Sequence, residues 1–167
     1  VENEIIVEKR EENSEWIYLQ QFYRAEQVIS ENIIRLQKAK NSKKISNINA
    51  KIRTVEDKTD INLSEKQKEA VELINENNVT IITGGPGTGK TTIIKSIIEI
   101  YKQKKYKIVL CAPTGRAAKR MTETTGEEAS TLHRLLEIGK VDEESLFKKD
   151  NDYKGAPIDA DIIIVDE

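Results

Sequence analysis

Near the N-terminus, the spacing of apolar residues is that of a helix. From 14 to about 40, large side chains recur at helical spacing: Trp16, Leu19 and Tyr23, then Ile29, Ile33 and Leu36, with Phe22 and Ala25 widening the stripe. This spacing predicts a helix with Ser14 as its N-cap and the stripe packed into a core. Segment 41–61 is rich in Asn, Ser and Lys with isolated Ile residues, which predicts a short helix and a linker. From Leu63 onward, short apolar runs alternate with longer amphipathic segments. Ser64-Glu65-Lys66-Gln67 forms a capping box, opening a helix that runs to about Asn77 and buries Ala70, Val71 and Ile74. A strand over 79–83, a helix over 90–103 with Ile93, Ile94, Ile97 and Ile98 inward, and a strand over 107–112 follow. Next come a helix from about Arg116 to Thr122, a shorter one from Thr131 to Ile138, an irregular polar stretch over 139–160 with room for a small hairpin, and a buried strand over 160–165. Such alternation predicts an α/β fold built on an open, mostly parallel sheet covered on both faces. The boundary between a helical N-terminal region with its linker and the α/β domain falls between 1–61 and 62–167.

Composition narrows the class without naming it. A chain of 167 residues can bury one good core with a smaller appendage. No apolar run reaches the roughly 18–20 residues that cross a bilayer. The first residues alternate charge with Ile5, Ile6 and Val7, unlike a signal peptide. Cys111, the single cysteine, lies within the apolar run 107–112 and reads as a small buried hydrophobe. Neither a disulfide framework nor a cysteine-based zinc cluster is available, which suits a reducing cytoplasm and no membrane. A net charge of −2 argues against coating nucleic acid by bulk electrostatics and leaves room for contact with a few phosphates. Between Arg35 and Arg53 there are seven Lys or Arg residues and no acid. Such a run is ordinarily a solvated helix end and loop, with a nucleic-acid contact as the alternative.

The densest chemistry lies in Gly84-Gly85-Pro86-Gly87-Thr88-Gly89-Lys90-Thr91. Glycines there allow backbone angles closed to other residues, so that successive N–H groups can turn toward phosphate oxygens, and the following helix adds its positive N-terminal end. Lys90 would reach the β- and γ-phosphates of a nucleotide and the Thr91 hydroxyl would ligate Mg²⁺. An ordinary glycine turn is the bland alternative, but strand, loop, lysine, hydroxyl and helix all agree against it. At the other end, the apolar run 160–165 leads into Asp166-Glu167. A carboxylate pair there faces the crevice where open α/β sheets bind ligands. Asp166 would hold the Mg²⁺ and Glu167 would polarise the water attacking the γ-phosphate. Between them, Pro113 stops a strand, Thr114 offers a hydroxyl, Gly115 lets backbone approach, and Arg116 begins a basic helix. This can grip one or two phosphates of an extended strand, or it can be a plain strand-to-helix turn with a basic surface.

Leu63-Ser64-x-x-Gln67, GGPGTGKTT at 84–92, APTGRAAKRM at 112–121, Thr131-Leu132-His133-Arg134-Leu135-Leu136 and IIIVDE at 162–167 together resemble the first motor domain of RecD/TraA-type DNA helicases. These form the superfamily 1 branch that moves 5′ to 3′ and include proteins described as exonuclease V alpha subunits. Trp16 to Glu26 also resembles the helical segment before the motor in the stand-alone RecD-like subfamily. The resemblance covers about 14–167 and implies a RecA-like P-loop NTPase domain, ATP and Mg²⁺ as cofactors, and single-stranded DNA as partner. Other proteins of a repair or recombination complex are further implied partners. By position, Gln67 matches an adenine-reading glutamine, a role compatible with capping. Residues 84–92, Thr92 included, match the nucleotide loop, with Lys90 and Glu167 catalytic and Thr91 and Asp166 on the metal. Pro113, Thr114, Gly115 and Arg116 match a single-strand grip, and Thr131 and His133 fall in the next DNA-side motif, although a lone His between Leu132 and Leu135 is more often structural. The family's second RecA-like domain and its arginine finger would follow Glu167. The chain therefore reads as an N-terminal fragment with an incomplete sheet, expected to bind nucleotide, hydrolyse it poorly and unwind nothing. A competing reading is a nucleotide-dependent switch or assembly ATPase whose basic helix contacts protein; another is an interaction module over 14–60.

Overall fold

A computed structural model describes residues 5–10, 14–59, 61–138 and 157–167. The chain forms two compact units, one of Val1–Lys44 with Ile74–Ile81, the other of Ile45–Leu73 with Ile82–Glu167.

In the first unit, β1 (Ile5–Arg10) and β2 (Ser14–Leu19) form an antiparallel pair in which Val7 faces Ile17 and Glu8 faces Trp16. The helix predicted from 14 therefore begins only at α1 (Gln20–Lys38), and Ser14 opens a strand instead of capping a helix. The physical reason is that Trp16, Ile17 and Tyr18 are strong strand formers and β1 offers them a partner. Period-two spacing also sets the Trp16 and Tyr18 rings on one face, stacked at 6.5 Å, with Tyr23 edge-on to Tyr18 at 5.4 Å. The apolar stripe of α1 is not core: no residue of the helix is buried, and Phe22 and Ile29 are both 57% exposed. A stripe becomes core only where a second layer covers it, and within this unit the hairpin does not. Polar ties fix the helix end instead: Asn78 Nδ2 donates to the Leu36 and Ala39 carbonyls at 2.9 and 2.6 Å, and Asn41 Nδ2 donates to the Asn75 carbonyl.

The second unit opens with α2 (Ile48–Thr59), which confirms the short helix and buries Ile52 and Val55. Glu56 accepts the Leu63 N–H at 2.8 Å and pairs with Lys68 at 3.5 Å, fixing the turn before α3 (Glu65–Glu76). In α3 Val71 is buried, whereas Ala70 and Ile74 are half-buried. Next, α4 (Lys90–Lys102) buries Ile93, Ile94, Ile97, Ile98, Ile100 and Tyr101. Three parallel strands follow in the spatial order β4 (Ala129–Thr131), β3 (Ile108–Ala112), β5 (Ile162–Val165). α5 (Gly115–Thr125) and the single turn α6 (Leu132–Leu135) complete the set. Ile94, Ile98, Leu110 and Met121 make the central cluster, with Ile108, Ala129 and Ile164 packed against it.

Four expectations change here. Segment 79–83 is in neither sheet: its β-branched composition suits a strand, but a strand also needs a partner edge, which composition does not supply. Burial alternates along β5, leaving Ile163 and Val165 exposed at 46% and 57%, so among the described residues this strand is covered on one face only. The helix predicted over 131–138 contracts to one turn, ended by Glu137 at a positive φ of 53°. Finally, β4 was not anticipated: three residues are too few to show a period. The hairpin considered within 139–160 falls mostly outside the described residues.

Candidate nucleotide and nucleic-acid site

The phosphate loop is shaped by its own side chains. Gly87 and Gly89 take φ of 75° and 84°, the left-handed region that penalises any Cβ. The Thr88 hydroxyl donates to the Gly85 carbonyl at 2.9 Å, and a Cβ on Gly84 would stand 2.7 Å from that hydroxyl oxygen. Lys90 Nζ curls back onto the carbonyls of Gly84 and Gly85 at 2.6 and 3.2 Å. Among the described residues, the backbone N–H groups of Gly85, Gly87, Thr88, Gly89 and Lys90 donate to no protein acceptor. Gly89 is the N-cap of α4, and the first turn of that helix holds no acid. Free donors, a helix N-terminus and an ammonium group converge, and the residues present fit a polyphosphate.

Gln67 is brought to this loop. Its Oε1 accepts the Ser64 N–H at 2.8 Å, its own N–H donates to Ser64 Oγ at 3.4 Å, and its Nε2 donates to the Thr88 carbonyl at 3.3 Å. The capping box is therefore formed, and the same amide also touches the loop. No spacing signal in the sequence announced the second contact.

A second group of residues gathers at the C-terminal ends of the parallel strands. Ala112 is opposite Thr131, and Cys111 is opposite Val165. Asp166 extends the ladder by donating its N–H to the Cys111 carbonyl at 3.0 Å. Pro113, Leu132 and Asp166 thus leave adjacent strands at one sheet edge, the edge where α/β sheets carry ligands. Thr114 Oγ1 accepts the Ala117 N–H at 3.2 Å and caps α5, and Thr131 Oγ1 accepts the Arg134 N–H at 3.2 Å and caps α6. Pro113, Gly115, Arg116 and His133 are exposed, so His133 is not packed between its leucine neighbours. Cys111 is buried with its Sγ 3.6 Å from the Ile164 carbonyl, and burial pushes its thiol pKa up, which makes it a packing residue. Among the described residues, no hydrogen bond or ion pair joins Lys90 or Thr91 to Asp166 or Glu167. No cluster of three or more His, Cys, Asp or Glu occurs there either; Mg²⁺ bound through phosphates needs only one or two protein ligands, and Thr91 with Asp166 provides that donor chemistry.

The parallel sheet, the glycine loop and the helix behind it define a RecA-like P-loop NTPase domain. The chain belongs to the AAA domain family, which matches residues 67–167. It is similar to the ATP-dependent RecD2 DNA helicase of Deinococcus radiodurans, with 41% identity over 105 residues, 63% of this chain and 14% of that protein. The RecBCD enzyme subunit RecD of Buchnera aphidicola subsp. Acyrthosiphon pisum is 40% identical over 121 residues, 60% of this chain and 19% of that subunit. The ATP-dependent DNA helicase dda of Enterobacteria phage T4 is 40% identical over 96 residues, 52% of this chain and 22% of its own length. The chain thus spans less than a quarter of each of these relatives. No helix among the described residues is long and apolar enough to cross a membrane.

Proposed function

We propose that this chain is the nucleotide-binding part of the first motor domain of an ATP-dependent, 5′→3′ DNA helicase acting in the cytoplasm, with 1–61 an N-terminal region and 62–167 the motor domain. In this reading residues 84–92 cradle the triphosphate, Lys90 releases its loop carbonyls to pair with the β/γ oxygens, and Gln67 reads adenine. Thr91 and Asp166 hold Mg²⁺, which when bound neutralises charge developing on the phosphates. Glu167 orients the attacking water and accepts its proton on a carboxylate oxygen. Pro113, Thr114, Gly115 and Arg116, with Thr131 and His133, follow one strand of DNA. Protein partners of a repair or recombination assembly belong to the same proposal.

The observation that carries this reading is the common sheet edge from which 113–116, 131–133 and 166–167 emerge. Hydrolysis can be coupled to a nucleic-acid strand only if carboxylates and strand-gripping turns share a rigid frame, and strands held in one ladder provide it. The test is to titrate the chain with Mg·ATP and, separately, with a single-stranded oligonucleotide at several salt concentrations. Nucleotide binding together with salt-dependent oligonucleotide binding is expected. Nucleotide binding with no oligonucleotide binding would move the protein-contacting switch ATPase ahead, and absence of nucleotide binding would overturn both.

A further inference from the structure

We infer that Gln67 is a positioning residue for the phosphate loop itself, aiming a backbone donor at the polyphosphate whatever base the ligand carries. The inference rests on the proposed nucleotide function and deepens it. A glutamine in a capping box needs only its Oε1, which here accepts the Ser64 N–H at 2.8 Å. Its Nε2 is spare, and it donates across 21 residues of sequence to the Thr88 carbonyl at 3.3 Å. One rigid amide thus joins the N-terminus of α3 to the loop. The loop is built for this approach: a Cβ on Gly89 would run into Gln67 Nε2, and the φ of 84° at Gly89 would strain any side chain there.

Planarity of the peptide bond gives the tie its consequence. In a trans peptide, the C=O of residue 88 and the N–H of residue 89 point in opposite directions, and this chain has no cis peptide. Holding the Thr88 carbonyl toward α3 therefore turns the Gly89 N–H away from α3, and that N–H has no protein acceptor among the described residues. Without the tie, this peptide can rotate in a loop whose glycines permit many orientations, and the donor would have to be ordered by the anion at an entropic cost. This contribution of Gln67 thus acts on the phosphate chain, whereas the adenine contact proposed above acts on a different part of the nucleotide.

Inorganic tripolyphosphate, which has no base, separates the two roles. Its affinity and that of Mg·ATP would be measured for the wild-type chain, Gln67→Ala and Gln67→Met, with helicity and melting temperature recorded for each. Tripolyphosphate affinity is expected to fall about three- to tenfold in both variants, the scale of one hydrogen bond. The ¹⁵N-resolved Gly89 amide signal should also shift with tripolyphosphate in the wild type and shift less in the variants, a readout that loss of a helix cap alone would not move. If ATP weakens while tripolyphosphate is unchanged, or if neither changes, the positioning role is overturned. If the wild-type chain binds neither ligand, the nucleotide reading falls first and this inference with it.

Discussion

α1 and α4 are both amphipathic and both rich in isoleucine, yet they meet opposite fates. α4 buries Ile93, Ile94, Ile97, Ile98 and Ile100, whereas Ile29, Ile33 and Ile34 of α1 remain exposed. Every buried apolar side chain among the described residues belongs to the second unit, from Ile45 to Met121. α4 is the more apolar of the two, with five isoleucines in 13 residues against three in 19, and it also has partners that α1 lacks. α4 packs with β3 and α5 around one cluster and also meets α2. Within its unit α1 has, among the described residues, a two-stranded hairpin, a structure that is marginal in water alone, and the polar ties from Asn78. A helical stripe identifies an apolar face; burial, and hence stability, depends on a second layer that the stripe does not encode.

The largest effects should break this symmetry directly. Ile100 is fully buried, and Ile100→Ala should cost about 2–5 kcal/mol in denaturant unfolding, whereas Ile29→Ala in α1 should stay within about 0.5 kcal/mol. Native-state hydrogen exchange should show the same ranking, with α1 amides opening at much lower free energy than those of α4. Equal costs for the two substitutions would mean that α1 is covered in solution, and the contrast between the units would fail.

Chemistry follows the same division, since the phosphate loop lies in the well-packed unit. Lys90→Ala removes the ammonium group that now caps two loop carbonyls and should weaken Mg·ATP binding by about 2–4 kcal/mol in calorimetry. Fold stability should change far less, because Lys90 belongs to the loop and not to the core. Unchanged nucleotide binding in this variant would leave the loop as an ordinary turn.

A smaller effect is expected from pH. Tyr101 is buried beside Tyr106, their rings 6.0 Å apart, and its pKa is pushed up to about 12, first by burial and then by the neighbouring phenol. The folded state holds the proton more tightly than the unfolded chain, so the contribution is fully present below about pH 10. It falls as pH rises from there through 12, at up to about 1.4 kcal/mol per pH unit. Unfolding in alkali should therefore coincide with the rise in phenolate absorbance, and Tyr101→Phe should shift the midpoint to higher pH. Independence of the alkaline midpoint from residue 101 would show that another group controls it.

How far the fold could be read from the sequence follows from how local each signal is. The Ser64–Gln67 capping box, the glycine loop, α4 and β3 are written in consecutive residues, and the structure has them within a residue or two of expectation. Strand β2 escaped because Trp16, Leu19 and Tyr23 fit a helix as well as Trp16 and Tyr18 fit a strand, and β1 decides between them. Segment 79–83 has strand composition, but pairing is not local, and the sheet edges determine membership. In the candidate site, the loop and the two carboxylates were legible as motifs. The register that sets Pro113, Leu132 and Asp166 on one edge was not, because it depends on β4 and on ladders spanning up to 54 residues. The Gln67–Thr88 contact escaped for the same reason.

The smallest effect concerns basic charge, and it contrasts single cations from the two units. In the first unit Arg35 and Lys44 are held locally: Arg35 donates to Asn32 at 3.2 Å, and Lys44 pairs with Glu76 at 2.5 Å. In the second unit Arg116 is exposed in the first turn of α5 with no ion pair among the described residues, although Lys119 on the same helix lies 3.9 Å from Glu123. A guanidinium already engaged within the protein gains little from a phosphate, whereas a free one can displace a counterion from the strand. Arg116→Ala should therefore weaken binding of single-stranded oligonucleotides to a similar degree across sequences and lower the slope of log affinity against log salt by about 0.7, one phosphate's worth. Lys44→Ala should leave that slope where it was. The two variants carry the same charge change, so any effect of net charge alone would appear in both and cancel in the comparison. If they shift the slope equally, the basic face of α5 is ordinary surface, and the single-strand grip assigned to 113–116 has to be given up.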